Sequence, residues 1–141
     1  MSHPTFTQAL CRRLNMVGIV ASALFVLVLV DSLMLVYRRR ALRLLLDAVA
    51  NPTSAPQNPE LIETLCRGIT HARVLYFKPV RCLQLSLASV LLLRLHGIAS
   101  ELVIGLRPTP FMAHAWVEAG GSIVMNSRVQ NLEQCRVILR A

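Results

Sequence analysis

RCLQLSLASVLLLRLHG, Arg81–Gly97, decides the fold of this 141-residue chain. Apolar side chains fall on every side of it at helical spacing, so it reads as a helix with no wet face, the kind that forms the centre of a fold. Gly97 stands where a left-handed C-terminal cap belongs. Downstream the period changes to strand alternation: Glu101–Leu106, then, past a loop with Pro108 and Pro110, Ala113–Glu118, Ser122–Asn126 around Gly120-Gly121, and Cys135–Leu139. Helices first and antiparallel strands after make an α+β arrangement, with the central helix packed on the sheet.

Upstream, Asn51–Pro59 reads NPTSAPQNP and is a proline-rich linker. Asn58 caps a helix with Pro59 at its first position, running from Glu60 to Arg73 with Leu61, Leu65, Ile69 and Ala72 inward. Residues 1–50 read as an apolar helical region, residues 60–141 as the core domain. Within the former, Met16–Tyr37 is long enough to span a bilayer and is flanked by Arg12-Arg13 and Arg38-Arg39-Arg40. Asp31 and the lack of a Trp at either end weigh against spanning, so the expectation is a helix packed on the domain or on a partner, with Asp31 facing a polar neighbour or solvent. Leu42, Leu45, Leu46 and Val49 continue a helical face beyond it.

Composition narrows the function. Fifteen Lys and Arg against seven Asp and Glu give a net charge of +8, which points to an acidic partner. The basic residues are mostly scattered and no aromatic series accompanies them, which argues against nucleic acid. Cys11, Cys66, Cys82 and Cys135 include no C-x-x-C pair and no His at ligand spacing, so no zinc site and no cofactor is expected. The apolar run lacks a small-residue cleavage site and is not read as a signal peptide, which points to a cytoplasmic protein with reduced thiols. Met16–Tyr37 is the one segment with the means to meet a membrane.

Two residues stand out as chemistry. Cys82 lies in the first turn of the central helix, where unpaired N–H groups and the helix dipole favour a thiolate. His114 opens the strand HAWVE. If Ala119-Gly120-Gly121 form a three-residue hairpin loop, Glu118 faces Ser122, Trp116 faces Val124 and His114 faces Asn126, leaving Ala115, Val117, Ile123 and Met125 on an apolar face. A two-residue Gly120-Gly121 turn instead puts Asn126 beside Ala115 on the core face. The longer loop is the expectation, with the Asn126 side chain within reach of His114. Cys82, His114 and Asn126 then have the arrangement of thiolate, base and orienter in papain-like enzymes, and Glu118 is a distant substitute for the third.

The run from CLQLSLASVLLLRLHGIASELVIGLR through PFMAHAWVE to GGSIVMNS resembles the transglutaminase-like leader peptidases of lasso peptide biosynthesis, over roughly Glu60–Ala141. The resemblance implies a cysteine peptidase with Cys82 as nucleophile and His114 as base. The family usually has Asp where this chain has Asn126, so the implied triad is Cys-His-Asn. It also implies a ribosomally made precursor as substrate, a separate leader-recognition protein and an ATP-dependent lasso cyclase acting after leader removal.

Overall fold

The computed structural model describes residues 6–37, 39–52, 58–126 and 132–141. Its elements are α1 (Phe6–Tyr37), α2 (Arg39–Ala48), α3 (Pro59–Leu75), α4 (Cys82–Leu95), β1 (Glu101–Arg107), β2 (Met112–Ala119), β3 (Ser122–Met125), a short 3-10 turn (Leu132–Gln134) and β4 (Arg136–Arg140). The strands form one antiparallel sheet in the order β3-β2-β1-β4. The α+β arrangement read from the periodicity is therefore the observed one. Most of the linker expected at Asn51–Pro59 falls on residues 53–57, outside the described residues.

Local signals explain the helix ends. The Asn58 carboxamide oxygen accepts from the N–H groups of Glu60 and Leu61 at 3.1 and 3.2 Å, with Pro59 in the first turn, where its missing N–H costs nothing. At the start of α4 the Gln84 side chain reaches back to the Arg81 N–H at 3.0 Å. Gly97, at φ +75°, ends α4 in the left-handed conformation that lacks a Cβ penalty only for glycine.

From Ser86 to Arg94 every residue of α4 is buried, and Leu87, Ala88 and Val90 are wholly so. One core joins it to Ile19, Ala23, Val26, Leu27 and Val30 of α1, Leu45 of α2, Leu65 and Ile69 of α3, and Ala115 and Val117 of β2. Burying whole Leu, Ile and Val side chains contributes about 1.5–3 kcal/mol each, so α1 and α2 are held by the same core as the sheet. Gly68 lets α1 and α3 approach: a Cβ there would run into Cγ2 of Ile19. The opposite sheet face carries a smaller cluster of Val103, Trp116 and Cys135, with Trp116 lying over Gly105, where a Cβ would be 2.8 Å from its ring.

Arg94, 8% exposed, is a buried cation within the otherwise apolar last turns of α4. Its Nε and Nη2 donate to the Ser100 carbonyl at 3.2 and 2.9 Å, and its Nη1 to the Val49 carbonyl at 3.3 Å. The guanidinium thereby satisfies carbonyls just past the end of α2 and in the turn before β1. Burial lowers its pKa from the ordinary arginine value.

The hairpin differs from expectation. Ala119 pairs with Ser122, so the turn is the two-residue Gly120-Gly121, and both glycines have positive φ, 58° and 76°. That is the demand of a type I′ turn, whose twist matches the strands. A bulge between Val117 and Glu118 then moves the register by one residue and pairs Val117 with Met125. Met125 stays buried, whereas Ile123, expected on the core face, is 40% exposed.

Candidate active site

Cys82 is the first residue of α4 and is half-buried. It lines a depression of about 700 Å³ between the start of α4 and the end of α1, together with Asp31, Met34, Leu35, Lys78 and Arg81. Arg81, at the N-cap, carries no acceptor, so no side chain caps the first N–H groups of the helix. The positive helix end therefore stays open at the Cys82 thiol.

Asp31 braces this end of the helix. Its carboxylate accepts from Gln84 Nε2 at 2.6 Å and Tyr76 Oη at 3.3 Å, and pairs with Lys78 Nζ at 2.6 Å. Gln84 thus spans the Arg81 N–H and Asp31, joining α1 to the turn that bears the cysteine. The expectation that Asp31 faces a polar neighbour or solvent is met by these contacts. The same carboxylate raises the Tyr76 pKa, after desolvation as the larger cause.

His114 is on β2, on the sheet face of Trp116, with the two rings stacked at 19° and 6.3 Å between centroids. Its Nε2 lies 2.9 Å from the carbonyl oxygen of Asn126. A carbonyl only accepts, so Nε2 carries the proton and Nδ1 is the basic nitrogen of the neutral ring. Ser86 Oγ donates to the Ala115 carbonyl at 2.9 Å, which sets the second turn of α4 against β2 beside His114. Cys82, four residues earlier and so on the same helix face, stands one turn further along.

Asn126 contacts both, but not as the alternation implied. Its φ is +62°, a left-handed conformation that Asn tolerates better than most residues. The side chain is turned to the helix: Nδ2 donates to Ser86 Oγ at 2.7 Å and lies 3.2 and 3.3 Å from the carbonyls of Cys82 and Ala115. Two of those three partners only accept, and the Ser86 hydroxyl already spends its proton on Ala115, which places the NH₂ end here. The expectation of the Asn126 side chain on His114 is therefore corrected: the backbone carbonyl meets the imidazole, because the shorter turn, the bulge and the left-handed residue together redirect the amide.

Glu118, the distant substitute, is committed elsewhere. It pairs with Arg140 at 2.8 Å and accepts from Trp116 Nε1 at 2.9 Å, and these contacts, Arg140 foremost, hold its carboxyl below the usual carboxylate range. Among the described residues no hydrogen bond joins the Cys82 thiol to His114. Burial pushes the Cys66 thiol up to about 11, which removes it as a nucleophile near neutral pH. Cys135 is buried in the smaller cluster, and the Cys11 side chain lies outside the described residues.

The helix-start cysteine and the strand histidine are linked through Asn126, which meets the His114 ring and the Cys82 carbonyl. The model of the transglutaminase-like superfamily matches residues 26–140, and the chain is a member of that superfamily. Over 43 residues it is 44% identical to the microcin J25-processing protein McjB of Escherichia coli. That match takes in 30% of this chain and spans only 21% of the length of the relative. No solved structure matches.

Proposed function

We propose that this chain is a cysteine peptidase that removes the leader from a ribosomally made lasso peptide precursor, ahead of ring closure by a separate ATP-dependent cyclase. Membership of the transglutaminase-like superfamily and the similarity to a microcin-processing protein support a role in peptide processing. The observation that carries the peptidase reading is the Asn126 carbonyl on His114 Nε2, which leaves Nδ1 as the ring nitrogen available to take a proton.

In this reading His114 Nδ1 takes the Cys82 proton and the thiolate attacks the scissile carbonyl, forming a tetrahedral oxyanion. The open N–H of Cys82 at the positive end of α4 stabilises that oxyanion. Its collapse breaks the C–N bond, His114 returns the proton to the leaving amine, and a water then hydrolyses the thioester, restoring the thiol and freeing the carboxylate. Asn126 contributes its carbonyl as the orienter of the imidazole and its amide as the tie to α4. A groove of about 580 Å³ between α3 and β3, lined by residues such as Arg67, His71, Ser122 and Met125, is the candidate seat for an extended peptide. Leader recognition falls to a partner protein.

The absent thiol–imidazole hydrogen bond favours one other reading, a precursor-binding scaffold of the same fold without turnover. Incubating precursor and its leader-binding protein with this chain, followed by mass spectrometry, separates the two. The peptidase reading expects a free leader and core, and their loss in Cys82→Ala with an unchanged melting temperature. Precursor that stays whole while bound to folded protein selects the scaffold.

A further inference from the structure

The chain leaves one long apolar surface uncovered. On α1, Val17, Ala21, Phe25, Val28, Ser32 and Leu35 recur every three to four residues and are all exposed, Phe25 at 69% and Leu35 at 83%. That spacing is one helical stripe, about 27 Å from end to end at 1.5 Å per residue. Only 28% of the most apolar window of α1 is buried, although its mean hydropathy is 2.7. Monomers in water rarely tolerate so extended an apolar face.

The polar atoms near the stripe are prepared for a dry environment. Ser22 Oγ donates to the Gly18 carbonyl at 2.9 Å and Ser32 Oγ to the Val28 carbonyl at 2.8 Å, so neither hydroxyl proton needs water. The one charged residue between Asn15 and Tyr37, Asp31, is turned inward to Lys78, Gln84 and Tyr76. Beside the stripe, Phe25, Leu29, Leu95 and His96 line a shallow depression of about 500 Å³ shared with the end of α4. Arginines stand at both ends in the sequence, Arg12-Arg13 before and Arg38-Arg39-Arg40 after, in a chain of net charge +8.

We infer that this face of α1 lies in the plane of an anionic lipid bilayer, as a monotopic contact. The inner face of the same helix is held in the core through Ile19, Ala23, Val26, Leu27 and Val30, so α1 has only one side to offer lipid and does not cross the bilayer as a free helix. Apolar insertion along the stripe and attraction of the terminal arginines to acidic headgroups act together. The charge at both ends is what selects an acidic lipid surface over an apolar protein partner. The inference is independent of peptidase activity.

Vesicle flotation of the intact chain tests it, comparing phosphatidylcholine vesicles with equal mixtures of phosphatidylcholine and phosphatidylglycerol. The expected result is flotation with the mixed vesicles, at least tenfold weaker with phosphatidylcholine alone. Phe25→Gln with Val28→Gln reduces partitioning by about tenfold or more, the equivalent of about 1.4 kcal/mol, while Ile138→Gln, an exposed apolar residue on edge strand β4, leaves it unchanged. As a second readout, Phe25→Trp fluorescence is quenched by lipids brominated in the acyl chain, and that of the parent, whose Trp116 is buried, is not. The inference is overturned if the parent stays in the soluble fraction, if the double variant floats as well as the parent, or if Phe25→Trp escapes quenching. A dimer abolished by Phe25→Gln with Val28→Gln, in protein that ignores vesicles, would overturn it in favour of a protein interface.

Discussion

Replacing Asn126 by Asp changes one heavy atom, Nδ2 to an oxygen, and tests the geometry of the whole site. In the parent, Nδ2 is ringed by three oxygens, Ser86 Oγ at 2.7 Å, the Cys82 carbonyl at 3.2 Å and the Ala115 carbonyl at 3.3 Å. A carboxylate brings an acceptor where the donor was, against two carbonyls that only accept. Losing two net hydrogen bonds at 0.5–1.5 kcal/mol each, with acceptor opposed to acceptor, costs about 2–3 kcal/mol. The Ser86 hydroxyl can turn to the carboxylate only by abandoning Ala115, so it offsets little. For a chain of this length the melting temperature falls by roughly 6–10 °C at neutral pH. The carboxyl is disfavoured in its charged form, so its pKa rises on folding. The penalty is then smallest below the unfolded carboxylate value of about 4 and grows as pH increases through the folded value. Thermal unfolding followed by circular dichroism at roughly pH 4 and pH 7, each read as the difference from the parent, measures this directly. An Asn126→Asp protein as stable as the parent at neutral pH, or more active, would show the side chain turned to His114 rather than to α4.

Three further perturbations follow from other contacts. Gly68→Ala introduces a methyl against Ile19 Cγ2; it costs about 1–2 kcal/mol net of the helix propensity gained, and urea melts show that cost vanishing in an Ile19→Ala background. Arg94→Met keeps the stem but strips the Ser100 and Val49 carbonyls of their donor; it lowers stability by about 2–4 kcal/mol, measured as a reduced urea midpoint with unchanged slope. Glu118, its pKa depressed first by the hydrogen bond from Arg140 and then by that from Trp116, contributes stability that is present above the unfolded carboxylate pKa and lost as pH falls through its folded value. Glu118→Gln therefore flattens the acid side of the stability profile, and an unchanged acid limb in thermal melts would deny the pairing its part.

Elements whose causes are local were legible from the residues alone. A helix apolar on every side has to be the centre of a core, Asn58-Pro59 starts a helix by supplying an acceptor and omitting a donor, and Gly97 ends one by accepting a positive φ. Strand alternation likewise located the sheet, and the place of Cys82 at the start of α4 was legible because the apolar helical run begins there. Arg94 was not legible, since its partners come from residues 45 and 6 positions away along the chain, at Val49 and Ser100. For Asp31 a polar neighbour or solvent was expected, but its partners were not legible, since they lie 45 residues away at Tyr76 and 53 at Gln84. The hairpin marks the boundary most sharply. Alternation with two adjacent glycines permits either turn length, and one residue of register exchanges the faces of a strand. Tertiary packing decided it: the bulge at Val117/Glu118 keeps Met125 in the core, and the left-handed Asn126 then sends its amide to α4 and its carbonyl to His114, because there the buried acceptors of Cys82, Ser86 and Ala115 find a donor.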